Sequence, residues 1–175
     1  MKTRFKPSVT VAAVIARNVD GVQKFLLVEE ETRDGLKFNN PAGHLDPGES
    51  LPQACARETL EETAFHFTPT DVVGVYMSRF QRASQTGPRD VDDITYLRFA
   101  FCGELGAHVP GMALDEGILR AVWLTADEIR GVCRPSSQPA VAPLHGGLFG
   151  WAAVSLGIGD NGYVCVWGVM SMRSR

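Results

Sequence analysis

Three glutamates at helical spacing form the group in this sequence that is best suited to chemistry. Glu58, Glu61 and Glu62 follow Arg57 in the segment Arg-Glu-Thr-Leu-Glu-Glu-Thr-Ala-Phe. At about 100° per residue, Glu61 and Glu62 fall within roughly 60° of Glu58, so the three carboxylates share one helix face. Like charges at this spacing repel, and a bound divalent cation would reverse the sign of that interaction.

Mg²⁺ prefers oxygen ligands and is usually held by one or two carboxylates together with substrate phosphates and water. We therefore expect Glu58, Glu61 and Glu62 to bind Mg²⁺ and to serve a reaction at phosphorus, with Mn²⁺ able to substitute. The alternative is a solvated acidic helix face, which charge runs of this kind usually form.

The elements that must position these carboxylates are a helix and the loop before it. Ser50 is a good N-cap and Gln53 completes a capping box, so a helix is predicted over Ser50–Ala64. Glu49 and Arg57 lie at opposite ends of the loop and first turns. An ion pair between them would fix the loop against the helix, which is a structural role.

The whole stretch resembles the Nudix box, in which a glycine, five residues, a glutamate and seven residues precede Arg-Glu-apolar-x-Glu-Glu-x-Gly-apolar. The matching positions are Gly43, Glu49, Arg57, Glu58, Glu61, Glu62 and Phe65. Thr59 and Ala64 depart from the pattern. Ala64 replaces a glycine, and we expect local backbone adjustment there without loss of metal binding.

The resemblance extends to the NudJ phosphatase branch of the Nudix family and covers about Phe5 to Ile129. It is carried by Phe5-Lys6-Pro7, Val9-Thr10-Val11-Ala12, Val28-Glu29-Glu30, Asn40-Pro41-Ala42-Gly43-His44-Leu45 and Leu97-Arg98-Phe99. It implies an α/β fold, the Nudix α/β/α sandwich, with a mixed sheet and the Nudix helix packed on it.

The activity implied by this resemblance is hydrolysis of nucleoside di- or triphosphates, or of hydroxymethylpyrimidine diphosphate, with release of orthophosphate. One alternative is an ADP-ribose or nucleotide-sugar pyrophosphatase, which would release a nucleoside monophosphate. The other is a ligand-binding regulator that has kept the fold and lost the chemistry. The intact glutamates argue against the regulator.

Further site residues are weaker candidates. Glu116 precedes a predicted strand where many Nudix enzymes carry an extra acidic ligand or base, and Ala42 offers a backbone carbonyl to the metal, as in some relatives. Phe38 could stack on a substrate ring, and Arg79 and Arg98 could contact phosphate. Aromatic residues in strands belong more often to the core, and charges at sheet edges are common.

Strands are predicted over Ser8–Arg17, Lys24–Glu30, Leu36–Phe38, Val72–Arg79, Ile94–Cys102 and Ile118–Leu124. Asn40–Gly43 is expected to end regular structure and Gln81–Asp93 to form a loop. A short capped helix is predicted over Thr125–Gly131. Mixed strands around one long helix favour an α/β sandwich.

The amino-acid composition limits the kinds of partner and the cellular location that we expect for the protein. A net charge of −3 over 175 residues argues against a broad grip on a nucleic-acid polymer. The four scattered cysteines are typical of a reducing compartment, and no apolar run is long enough to cross a bilayer, so we expect a cytoplasmic location. The partner expected is a small phosphorylated molecule, and a monomer and a homodimer are both compatible with the sequence.

The C-terminal segment differs in composition from the rest. We assign residues 1–134 to the Nudix domain and 135–175 to an atypical tail, which is rich in glycine and has three charged residues. With suitable codons, shifting His145–Leu156 by one nucleotide encodes Thr-Ala-Asp-Phe-Leu-Ala-Gly-Gln-Arg-Tyr-Pro, which resembles the C-terminal segment of the NudJ branch. We therefore interpret the chain from about residue 133 as read out of frame, an interpretation that the nucleotide sequence tests.

Overall fold

The computed structural model describes residues 4–32, 35–83 and 91–132. The elements in these ranges are β1 (Ser8–Ala13), β2 (Ala16–Val19), β3 (Val22–Thr32), β4 (Gly35–Asn39), β5 (Ala42–His44), α1 (Leu51–Thr63), β6 (Phe65–Ala83), β7 (Val91–His108), β8 (Ile118–Thr125) and α2 (Ala126–Val132). The predicted atypical tail, 135–175, lies outside the described residues.

The strands form two sheets, and α1 packs with both of them. The first sheet has the order β5-β1-β7-β6, in which β1 and β7 are parallel and the other neighbours are antiparallel. In the second sheet, β3 pairs with β2, β4 and β8. The main core joins Val11 and Phe101 of the first sheet, Ala54 and Cys55 of α1, and Leu26 of the second sheet. The predicted mixed α/β sandwich is therefore confirmed.

The β6–β7 hairpin is longer than the sequence predicts. We expected strands over Val72–Arg79 and Ile94–Cys102, but the strands run over 65–83 and 91–108. The prediction of a loop over Gln81–Asp93 is thus wrong at both ends. Pro69 lies within β6, beside a register shift between Pro69 and Asp71. Among the described strands β6 pairs only with β7, and an edge strand tolerates a proline next to a register shift.

Two smaller corrections concern the strands before α1. Residues 42–44 form β5 on the edge of β1, although the proline and glycine at this point predicted the end of regular structure. The predicted strand Ser8–Arg17 is divided into β1 and β2. Along the described residues, neither helix has the length and apolar character needed to cross a membrane.

A second, smaller hydrophobic cluster lies under α2. It contains Phe25 and Leu27 of β3 and Ile129 of α2, with Phe38 packed against them. Alternation along β3 sends Leu26 to the main core and its two neighbours to this cluster. The second sheet is therefore buried on both faces around these residues, with the main core on one face and α2 on the other.

Candidate active site

The capping box fixes where α1 begins and therefore where its glutamates point. The Ser50 side chain accepts a hydrogen bond from the backbone N–H of Gln53, and the Gln53 side chain accepts one from the backbone N–H of Ser50 at 2.9 Å. Two of the unpaired N–H groups at the helix start are satisfied in this way. The predicted N-cap is confirmed, and α1 runs from Leu51 to Thr63.

Glu58 is buried against the backbone of Gly43. Only 8% of Glu58 is exposed, so the alternative of a fully solvated acidic face does not apply to it. A Cβ atom built on Gly43 would lie 2.0 Å from Cδ of Glu58, which is far inside van der Waals contact. The glycine is therefore needed so that the carboxylate can sit on the loop. Burial raises the pKa of Glu58, and the Arg57 guanidinium opposes that shift.

Arg57 ties the loop to the glutamates. Its guanidinium donates to both carboxylate oxygens of Glu49, at 2.7 and 2.9 Å, which confirms the predicted ion pair. The Nη1 atom also donates to Glu58 at 2.8 Å and to Glu61 at 2.9 Å, and Nη2 donates to the carbonyl of His44 at 2.9 Å. These contacts raise the pKa of Arg57 and lower that of Glu49. Arg57 thus does more than the sequence predicts, because it also orients two of the three glutamates.

The third member of the carboxylate cluster is a residue that sequence reasoning missed. Carboxylate oxygens of Glu58, Glu61 and Asp115 lie within 4.8 Å of one another. Asp115 is held there because its backbone N–H donates to the carbonyl of Glu61 at 3.1 Å. The sequence candidate was the next residue, Glu116; both acids are exposed, but the carboxylate in the cluster is that of Asp115. The strand spacing indicated the correct loop but could not distinguish two adjacent acids.

Glu62 lies beside this cluster and is bound to the loop. The backbone N–H of Ala42 donates to its carboxylate at 2.8 Å. Burial raises the pKa of Glu62 to about 8, and the charges of Glu58, Glu30 and Asp115 add to the rise, while the hydrogen bond from Ala42 opposes it. The structure thus shows the amide of Ala42 donating to a glutamate, and the contact of its carbonyl with a metal stays a prediction.

The donor set fits a hard divalent cation such as Mg²⁺. Every group in the cluster of Glu58, Glu61 and Asp115 offers carboxylate oxygen, the ligand type that Mg²⁺ prefers. Arg57 contacts Glu58 and Glu61, but it pairs most closely with Glu49. Because its single positive charge is shared among these carboxylates, it cannot balance the negative charge of the cluster. Carboxylates crowded in this way repel strongly, and a divalent cation would offset that repulsion.

The three predicted substrate-binding residues lie in different surroundings. Phe38 packs in the small cluster under α2. Arg79 is exposed and forms an ion pair with Asp93 on the neighbouring strand. Arg98 is half-buried on β7, and the carboxylates of Glu62 and Glu30 stabilise its charge. Of the three, Arg98 is the residue whose charge lies near the glutamates of the site.

Both departures from the Nudix box are explained locally. Thr59 is fully buried where the pattern has an apolar residue, and its hydroxyl donates to the carbonyl of Cys55 at 2.7 Å, so no polar atom is left unpaired. Ala64 ends α1 in the left-handed conformation, with φ 57° and ψ 19°. The alanine thus holds a conformation that a glycine adopts without strain, and the expected local backbone adjustment stays a prediction.

Comparison with known proteins agrees with this geometry. The family model described as the NUDIX domain matches residues 6–144. The chain is 37% identical to phosphatase NudJ of Escherichia coli over 125 residues, which are 71% of this chain and 72% of that protein. A solved NUDIX hydrolase from Nitrosomonas europaea is 46% identical with a TM-score of 0.59, and the match covers 73% of this chain and 78% of that one. A MutT protein from Methanosarcina mazei is 28% identical with a TM-score of 0.51, over 74% and 85% of the two chains.

Proposed function

The chain belongs to the Nudix family of hydrolases, and we propose that it removes orthophosphate from nucleoside di- or triphosphates, or from hydroxymethylpyrimidine diphosphate, with the help of Mg²⁺. The observation that carries this proposal is the carboxylate cluster of Glu58, Glu61 and Asp115 beside the half-buried Glu62. The similarity to phosphatase NudJ supports release of orthophosphate as the outcome.

Each residue of the site has a distinct part in this proposal. Glu58, Glu61 and Asp115 would hold Mg²⁺, and a bound cation would favour loss of the proton that the raised pKa of Glu62 retains, so that Glu62 adds negative charge beside them. When bound, the cation neutralises phosphate charge and makes a water molecule more acidic. Arg57 keeps the glutamates aligned. In the reaction, the oxygen of water bonds to the terminal phosphorus and gives up a proton to solvent, while the bridging P–O bond breaks and the leaving oxygen keeps the electron pair of that bond.

Two other functions remain as rivals. A pyrophosphatase acting on ADP-ribose or nucleotide sugars would use the same carboxylates but release a nucleoside monophosphate. A regulator would bind its ligand without turnover. Ligand binding alone would not require four acidic side chains packed so closely, which favours an enzyme.

Product analysis separates the three. The full chain is incubated with Mg²⁺ and a panel of nucleoside di- and triphosphates, hydroxymethylpyrimidine diphosphate, ADP-ribose and a nucleotide sugar. We expect orthophosphate from the first two classes, no turnover in excess EDTA, and recovery on addition of Mg²⁺ or Mn²⁺. Nucleoside monophosphate from ADP-ribose would favour the pyrophosphatase, and full activity in EDTA would contradict the metal-dependent mechanism.

A further inference from the structure

Arg98 is a half-buried arginine with few protein contacts. It lies on β7 between Thr10 of β1 and Tyr76 of β6, its partners in the ladder. The Nε atom donates to the hydroxyl of Thr10 at 3.3 Å. Within residues 4–32, 35–83 and 91–132, this is its only hydrogen bond, and it forms no ion pair within 4.0 Å. The two terminal nitrogens of its guanidinium therefore have no partner among these residues.

The carboxylates that face Arg98 already have hydrogen-bond donors of their own. Glu62 accepts from the backbone of Ala42, and Glu30 accepts from the side chain of Asn39 at 2.8 Å. Both stabilise the charge of Arg98 from beyond ion-pair distance, while burial lowers its pKa. Removing a cation from water without giving its N–H groups hydrogen-bond partners costs free energy. A bound anion that accepts those hydrogen bonds offsets this cost.

We propose that Arg98 binds a phosphate group of the substrate through the terminal nitrogens of its guanidinium. This inference rests on the proposed function and names a residue that would recognise phosphate without the metal ion. A planar guanidinium matches phosphate oxygens with two parallel hydrogen bonds. Glu62 interacts electrostatically both with Arg98 and with the clustered carboxylates Glu58 and Asp115, so Arg98 and the proposed metal site neighbour the same glutamate.

The test measures binding rather than turnover. The probe is an α,β-methylene nucleoside diphosphate, which the proposed reaction cannot cleave at its carbon bridge, titrated into the full chain with Mg²⁺ by calorimetry. We expect Arg98→Gln to bind it about 10- to 100-fold more weakly. The control is Arg120→Gln, because Arg120 is exposed and its partner is Glu29 on β3. The control should stay within about twofold of the wild type.

A purely structural role for Arg98 predicts a different result. If Arg98 only balances the charge of Glu62, Arg98→Gln would change the affinity for Mn²⁺ and leave the affinity for the probe unchanged. That pair of results would overturn the proposal. Should Arg98→Gln fail to fold, Arg98→Lys tests the proposal instead, because lysine keeps the positive charge but lacks the planar guanidinium with its paired N–H donors. Probe binding weakened about threefold or more would support the proposal, and unchanged binding would overturn it. Failure of the wild type to bind the probe or release orthophosphate would instead contradict the proposed function.

Discussion

Arg57 and Arg98 lie in two regions around the carboxylate cluster, and their surroundings differ sharply. In the first region, the loop and α1, Arg57 has five hydrogen bonds to Glu49, Glu58, Glu61 and the carbonyl of His44. In the second region, the ladder of β1, β7 and β6, Arg98 has one hydrogen bond among the described residues, to Thr10. One guanidinium is saturated by the protein and the other is not.

This contrast separates a structural charge from one that is available to a ligand. A saturated arginine stabilises a loop and has no donors left for substrate. A buried arginine with unused donors contributes little to the fold and is costly to keep, so a ligand is the natural partner. We therefore expect substitutions in the first region to lower kcat through the metal site, and substitutions of Arg98 to raise KM.

The largest effect is expected from Glu62→Gln, in the first region. The substitution removes a carboxyl group that can ionise beside the metal-binding cluster when a cation is bound, and it barely changes the volume of the side chain. We predict a loss of at least about 100-fold in kcat with Mg²⁺, in keeping with metal-centred electrostatic effects of several kcal/mol. Glu104→Gln, an exposed change on β7, is the matched control. Near-normal turnover by Glu62→Gln would contradict a role for Glu62 in the metal site.

The same variant shows whether the fold survives. The pKa of Glu62 rises from about 4.5 to about 8 on folding, so the folded state holds this proton more tightly. Its contribution to stability is present below pH 4.5 and is lost as the pH rises through about 8. In EDTA, Glu62→Gln should therefore melt near the wild type at acidic pH and above it at alkaline pH. A lower melting temperature at both pH values would show damage to the fold.

The next largest effect is expected at Asp115, which extends the comparison to the loop before β8. Asp115→Asn should weaken Mn²⁺ binding by at least about 10-fold, because it removes one of the three clustered carboxylates. Glu116→Gln changes the neighbouring acid, whose carboxylate is not among the three clustered ones, and should have the smaller effect. Titration of both variants with Mn²⁺ distinguishes them. A larger loss of Mn²⁺ affinity in Glu116→Gln would instead favour Glu116, the candidate from the sequence, as the metal ligand.

What the sequence predicted well is local. The capping box, the start of α1 and the pair of Glu49 with Arg57 all depend on residues within one short segment. Helical periodicity alone placed Glu58, Glu61 and Glu62 on one side of the helix. Short-range geometry of this kind follows from spacing, because backbone hydrogen bonding fixes the angle between neighbouring residues.

What the sequence did not reveal depends on contacts between distant segments. Asp115 reaches the cluster through a backbone hydrogen bond to Glu61, and nothing in the residues near Asp115 signals that contact. Glu58 is buried because Gly43 lies against it in space. Arg98 could be suggested from family likeness, but its distinction from Arg79 comes from burial, which the alternation along a strand does not reveal.

The smallest effect is expected at Ala64, where α1 ends at the edge of the first region. The left-handed conformation costs a non-glycine residue about 1–2 kcal/mol, which Ala64→Gly would relieve. Against this, the variant loses a buried methyl group worth about 0.8 kcal/mol and gains flexibility in the unfolded chain worth about 0.5–1 kcal/mol. The terms nearly cancel, so denaturant unfolding should give a stability within about 1 kcal/mol of the wild type, with unchanged kcat. Ala64→Val is the contrasting variant, since a branched side chain fits neither the backbone nor the space and should cost about 2 kcal/mol or more. An unchanged free energy of unfolding for Ala64→Val would contradict the left-handed conformation of Ala64 at the end of α1.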